Sequence, residues 1–310
     1  MANKIFKTLD QQIEILRNKG LIINDETFAR KILFRENYYF ITGYRHLFVE
    51  APKSDKYIKG TKFEELYAMF IFDRNIRNIF FKNILIVENN MKSIISYQLS
   101  KKYGFREKDY LDARNFTQDS LKTRQVKDVL SKIRRQVSKN ARQHAATSHY
   151  LDNYGYIPLW VLVKVLSFGI IGELYSILKI EDQVNIAKFY SISASTLDLY
   201  LELLSNFRNV CAHEDILYDH RTQRAIPNTK YHEFLSIPEN EDGYIYGKND
   251  LYALVIILKV MLSKEEFDEM ITEIKYAVDI LDNQIEVVPT KDILNKIGFP
   301  KNWYDIIETD

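Results

Sequence analysis

From Lys62 to Tyr103 the chain runs about forty residues without a proline or a glycine, and apolar residues recur at three- and four-residue intervals throughout. Strands rarely exceed ten residues and alternate with a period of two, so this segment reads as helix. Thr61 is placed to cap it, with Glu64 behind, and Gly104 ends it. Unbroken, such a helix would be about 60 Å long at 1.5 Å per residue, and a kink or break is expected within it.

The rest of the chain fits the same class. Only 10 glycines and 6 prolines occur in 310 residues, too few for the tight turns of a β-sandwich, and the expected class is all-α. Ile5, Leu9, Ile13 and Leu16 share a helical stripe closed by Gly20, and Asn24 or Asp25 can cap the next helix, which leads into NYYFITGYRHLF. Residues 1–55 therefore read as a small helical N-terminal unit, and the polar run EAPKSDKYIKGT (50–61) as a linker. A helical domain follows over 60–285, with a basic insert at 118–149 and a loop at 222–250 that has room for a short helix. Residues 286–310 form a short C-terminal tail. The stretch LWVLVKVLSFGIIGELYSIL (159–178) is very apolar, but Lys164 and Glu173 interrupt it. A buried helix pair or hairpin suits it better than a membrane span.

Forty-three basic and 42 acidic residues leave a net charge of +1, so global charge names no partner and only its distribution can. Lys122, Arg124, Lys127, Lys132, Arg134, Arg135, Lys139 and Arg142, followed by His149, make a basic concentration that is either a solvated helix face or a track for phosphates. Residues 233–310 are acidic, with 17 Asp and Glu against 7 Lys and Arg. One cysteine excludes an internal disulfide framework and fits a reducing compartment. The N-terminus lacks the apolar run of a signal peptide, and a cytoplasmic protein without a membrane partner is expected.

The segment FRNVCAHEDILYDHR (207–221) sets an Arg, an Asn and a His at the end of a core helix, where nothing polar is needed for packing. Tyr200, Leu204, Phe207 and Cys211 fall on one stripe and should face the core. Asn209 and His213 are four apart and share another stripe, so Asn209 can orient the His213 ring. Arg208 projects from a different side of the same turn. For the three to act together, either the helix ends between them or a second copy completes the site. Three chemistries remain open from the residues: a solvated helix edge, a mixed N/O metal site drawing on His213, Asp215, Asp219 and His220, or a catalytic centre. A Cys211–His213 dyad is implausible at about 200° of separation, and Cys211 reads as a small buried residue. The spacing Arg-x(4–6)-His carries a high chance of coincidence, and Arg142 with His149 is a second formal match.

The run RNVCAH resembles the signature of the HEPN superfamily of all-α domains. Its order of landmarks, QIEILRNKGLII with DETFARKIL, then NYYFITGY, FDRNIRNIFFKNILIVE, IPLWVLVKVLSFG, RNVCAHEDILYD and GFPKNW, is similar to the Abi-like branch (abortive infection, AbiD/AbiF type). Ile216 and Lys164 depart from that pattern, standing where an Arg and an acidic residue are common. The resemblance implies a HEPN-like helical bundle and a metal-independent endoribonuclease of phage defence, in which the RNA 2′-hydroxyl attacks the adjacent phosphate. It implies Arg208 and His213 as catalytic residues and a homodimer that brings two motifs together. No cofactor is expected. RNA is the expected partner, as substrate and as a bound structured RNA, and a non-catalytic RNA-binding module is the alternative.

Other polar and aromatic residues stand beside these. Glu88, in the apolar IVENN stretch, is an auxiliary candidate that either pairs with the active-site Arg or satisfies a buried contact. Asp73 and Arg77, four apart, read as a helix-stabilising ion pair. Trp160 and Trp303 read as packing anchors, while exposed tyrosines near 144–156 could stack on unpaired bases.

Overall fold

The computed structural model describes residues 5–309 apart from residue 242. The first four residues, part of the N-terminal segment considered above, lie outside it. The architecture is an all-α bundle built around one long helix. Helices α1 (Leu9–Asn18), α2 (Glu26–Glu36) and α3 (Tyr38–Thr42) precede α4 (Phe63–Tyr103), an uninterrupted α-helix of 41 residues. The expected break in α4 is therefore absent. The reason lies in its surroundings: α4 packs against elements before and after it along its whole length, and its buried residues run from Phe63 to Leu99. A helix apolar on most faces, with no Pro or Gly, has nothing to interrupt its hydrogen bonds.

Helix starts follow local chemistry. Thr8 caps α1, Asp25 Oδ1 accepts the Phe28 N–H at 2.8 Å, and Asn37 accepts the Tyr39 N–H at 2.9 Å. At α4 the cap lies one residue later than expected. Lys62 is the N-cap, because the buried Thr61 hydroxyl donates to the Ile58 carbonyl instead. Segment 50–61 is not open chain: Val49 bridges Tyr57, and the Tyr57 N–H donates to the Lys19 carbonyl at 2.9 Å.

After α4 come α5 (Glu107–Tyr110), α6 (Thr123–Asn140) and α7 (Ala145–Tyr154). The apolar stretch is a helix pair, as expected: α8 (Leu159–Leu162) runs into a 3-10 turn, and Ser167 caps α9 (Phe168–Ser176). Next are α10 (Ile180–Ala187) and α11 (Ala194–Ala212), the latter capped by Ser193. The 222–250 loop holds α12 (Lys230–Phe234) and a two-residue antiparallel pair, β1 (Glu239–Asn240) with β2 (Gly243–Tyr244). Helices α13 (Leu251–Met261), α14 (Lys264–Asp282) and α15 (Thr290–Ile297) complete the bundle. The C-terminal tail packs back, with the Tyr252 hydroxyl donating to the Trp303 carbonyl at 2.8 Å and Trp303 buried as expected. Trp160 is not a packing anchor; it lies on the surface. Among the described residues no helix is long and apolar enough to cross a membrane.

The 222–250 loop is organised by a fully buried histidine. His232 Nε2 lies 2.9 Å from the Gly247 carbonyl, and its Nδ1 accepts the Thr229 N–H at 3.1 Å. That pattern needs a neutral ring with its proton on Nε2, and burial lowers the affinity for a second proton. The unfolded His protonates near pH 6.5 while the folded one resists. Its stabilising contribution is therefore fully present above that pH and lost as pH falls towards the folded value. The difference in melting temperature between the protein and a His232→Gln variant should shrink between about pH 7 and pH 5. A constant difference across that range would refute this role for the neutral ring.

Candidate active site

The four residues Tyr200, Leu204, Phe207 and Cys211 form the buried stripe of α11, as their spacing requires. Burial pushes the Cys211 thiol up to about 12, so it is no nucleophile at neutral pH. Arg208, one step around the helix, is half-buried. Its guanidinium carbon stands 5.6 Å over the Phe81 ring, and its Nε faces Glu88 Oε2 at 3.5 Å. Glu88 also takes Lys92 Nζ at 2.7 Å. Among the described residues the two terminal nitrogens of Arg208 have no protein partner. The side chain is thus held from behind, with its two-pronged end free to grip an anion.

Helix α11 ends at the histidine. His213 is the C-cap, and its N–H donates to the Asn209 carbonyl at 3.0 Å. Glu214 follows in the left-handed region at φ 55. Its N–H reaches the Cys211 carbonyl at 3.4 Å, and the Asp215 N–H reaches the Val210 carbonyl at 3.2 Å. These two bonds close a Schellman turn with Glu where Gly is usual. The imidazole of His213 is exposed and bound to no other side chain among the described residues. Asn209 is exposed too, and its bond to His213 is through the main chain. Among the described residues, the Arg208 and His213 side chains of one chain do not meet.

The turn after His213 is clamped from below by α4. Arg77 Nη1 donates to the Asp215 carbonyl at 3.2 Å, and Asp73 Oδ2 accepts the Leu217 N–H at 3.2 Å. Asp73 and Arg77 are ion-paired and almost wholly buried, and Asp73 also takes the Tyr44 hydroxyl at 2.7 Å. The expected simple helix-stabilising pair is therefore a buried junction of the N-terminal unit, α4 and the motif. Tyr44 lies 5.4 Å from Tyr218, and a Cβ on Gly43 would sit 2.5 Å from Ile216 Cδ1, so the NYYFITGY segment fits closely over the motif's exit. Arg74 adds a second link, 2.8 Å from Glu36 and 3.8 Å from Glu214. Asp73, Arg77, Phe81 and Glu88 fall on one stripe of α4, the face turned to the motif.

The metal alternative finds no support in the geometry. Among the described residues no three His, Cys, Asp or Glu side chains converge as a metal site. His220 instead has Nε2 2.6 Å from Asn206 Oδ1 and its ring edge-on to Phe207.

The basic insert spans α6, α7 and the residues that lead into each. Lys122 donates to the Ser176 carbonyl, Lys132 pairs with Glu173, Arg134 donates to the Leu111 carbonyl, and Arg124 faces Asp128 at 3.8 Å. Lys127, Arg135, Lys139 and Arg142 are exposed and unpaired among the described residues. The ring of His149 meets the Asn153 side chain at 3.2 Å. The expected track thus splits into cations engaged by the fold and cations facing solvent.

The family model for Abi-like proteins matches residues 31–219, from α2 through the clamp. The chain belongs to the Abi-like protein family. That membership points to abortive-infection defence against phage. No curated protein and no solved structure matches this Abi-like chain. The matched span holds Tyr44, Asp73, Arg77, Glu88, Arg208, His213 and Leu217, so the whole clamp sits inside the family's boundaries.

Removing one partner of a buried ion pair leaves an unpaired charge in the core. Arg77→Ala should lower unfolding stability by about 3–5 kcal/mol in urea titrations. A loss below about 1 kcal/mol is the signature of a surface pair and would refute the clamp.

Proposed function

We propose that this Abi-like protein is a metal-independent endoribonuclease of HEPN type that acts in phage defence by abortive infection. The supporting observation is the state of Arg208, braced on Phe81 and Glu88 with its terminal nitrogens unengaged. A guanidinium so placed can hold two phosphate oxygens while negative charge builds on them. His213, exposed at a rigid helix end, has the residue chemistry of a general base or acid near neutral pH.

In this reading the RNA supplies the nucleophile. The 2′-hydroxyl oxygen attacks the adjacent phosphorus as its proton passes to an imidazole, and the 5′-oxygen leaves with a proton from a second imidazole. The products are a 2′,3′-cyclic phosphate and a 5′-hydroxyl. Base and acid must lie on opposite sides of the phosphate, and each chain has one convincing motif. A homodimer with a composite site, one His213 from each copy, meets that need. Glu88 serves as a positioning residue for Arg208, and Asn209 fixes the end of the helix through its carbonyl. Free cleavage would harm the host cell, so the enzyme is held inactive until infection.

A second reading, an RNA-holding module without catalysis, draws on the exposed cations Lys127, Arg135, Lys139 and Arg142. Purified protein incubated with labelled RNA separates the two. Cleavage should persist in EDTA and fall at least about 100-fold in Arg208→Ala and in His213→Ala. Tight binding with no cleavage under any condition favours the holding module, and activity lost to EDTA and restored by a divalent ion sinks both. Neutralising the four exposed cations should flatten the salt dependence of RNA affinity by roughly 0.7 in log–log slope for each phosphate they no longer neutralise. An unchanged slope removes them from the RNA path.

A further inference from the structure

Beyond the C-terminal end of α4, six aromatic rings follow one another across the surface. Trp160 lies 6.4 Å from Phe105, Phe105 5.5 Å from Tyr156, Tyr156 6.3 Å from Tyr154, and Tyr154 5.4 Å from Tyr150. His149 meets Tyr150 and Tyr154 edge-on. The Arg106 guanidinium sits 5.8 Å and 5.4 Å from the ring centres of Phe105 and Tyr156. Tyr150 packs partly against the core, but core packing does not account for Phe105, Trp160 and Tyr154, which are 41%, 46% and 57% exposed.

The row is held rigidly. Its central loop is fixed at the buried Ile157, whose carbonyl accepts the Tyr110 hydroxyl at 2.7 Å and whose N–H donates to the Glu107 carboxylate. Both anchors come from α5, which begins one residue after Arg106. A surface ordered beforehand loses little freedom when a ligand settles on it. Nearby carboxylates are engaged as well, Glu107 by Ile157 and Asp152 by the Ser148 hydroxyl. Arg142, exposed and unpaired among the described residues, stands just before α7.

Exposed rings, with a guanidinium lying over two of the row, suit the faces of unpaired bases, which stack on aromatics whatever their identity, while the cation meets the backbone. Paired bases keep their faces inside the duplex. We propose that this row is a binding platform for single-stranded RNA, separate from the Arg208–His213 site. The identity of the ligand rests on the reading of the protein as an RNA-cleaving enzyme.

The protein carries its own reporter, because the other tryptophan, Trp303, is buried. In the His213→Ala background, which keeps the RNA intact, a single-stranded oligoribonucleotide should quench tryptophan emission saturably, and Trp160→Phe should abolish that signal. The same sequence as a blunt duplex should bind more weakly by anisotropy. Tyr154→Leu should weaken single-strand affinity at least about five-fold, whereas Tyr154→Phe, which keeps the ring, should not. Tyr154 is exposed, so circular dichroism should show both variants folded, and Arg106→Ala gives a second test of the same loss. Absence of quenching, equal binding of the duplex, or unchanged affinity in Tyr154→Leu and Arg106→Ala would overturn the platform. Cleavage by the parent protein alongside that result leaves the nuclease reading standing. Platform-dependent binding without cleavage by the parent does the reverse.

Discussion

The buried pairing of Asp73 with Arg77 is the contact on which the arrangement of this molecule depends. Two charges withdrawn from water are tolerated only when their remaining hydrogen-bonding capacity is met. Here it is met by groups from distant parts of the chain: the Tyr44 hydroxyl, the Asp215 carbonyl and the Leu217 N–H. The cost of burying the pair is thereby turned into positional information. The N-terminal unit, the long helix and the exit from α11 cannot shift independently without stranding a charge. Arg208, on the last turns of α11, and His213, at its end, inherit their placement from that junction.

The same helix carries further polar contacts that tie it to its surroundings. Glu65 accepts the N–H groups of Glu286 and Val287, fastening the C-terminal tail, and Glu88 faces Arg208 while bonding Lys92. An apolar rod alone would pack at many rotations of nearly equal energy. Buried charges with fixed partners pick out one of them, a role well attested for isolated polar residues in helical cores.

Much of the fold was legible in the sequence because helices announce themselves locally. Spacing found the buried stripe of α11 and the paired helices after Pro158, and cap chemistry narrowed the start of α2 to Asn24 or Asp25, of which Asp25 is the cap. The missing break in α4 was not legible, since what supports that helix is tertiary packing contributed by segments far away in the chain. The cap of α4 was misplaced by one residue because the Thr61 hydroxyl had a nearer carbonyl in Ile58. At the candidate site, Glu88 takes both contacts open to it from the sequence, facing Arg208 and bonding Lys92 in the interior. The role of Asp73 and Arg77 was not legible, because four-residue spacing looks the same whether a pair is exposed or buried. The difference lies in Tyr44 and Leu217, which no local pattern brings together. Trp160 was misread for a similar reason: its neighbours in sequence are apolar, yet its own face of α8 is outermost.

The unbroken length of α4 also has a metric meaning. Glu88, behind Arg208, and Tyr103, two residues before Phe105 of the aromatic row, are fixed points on one rod, about 22 Å apart along its axis. A single RNA strand lying across both would have its path measured by protein rather than by its own flexible backbone. Fragments too short to bridge that gap would engage one end and leave the other empty. In the proposed reading, the helix would act as a ruler between the aromatic row and the arginine, setting the length of unpaired strand that could reach both.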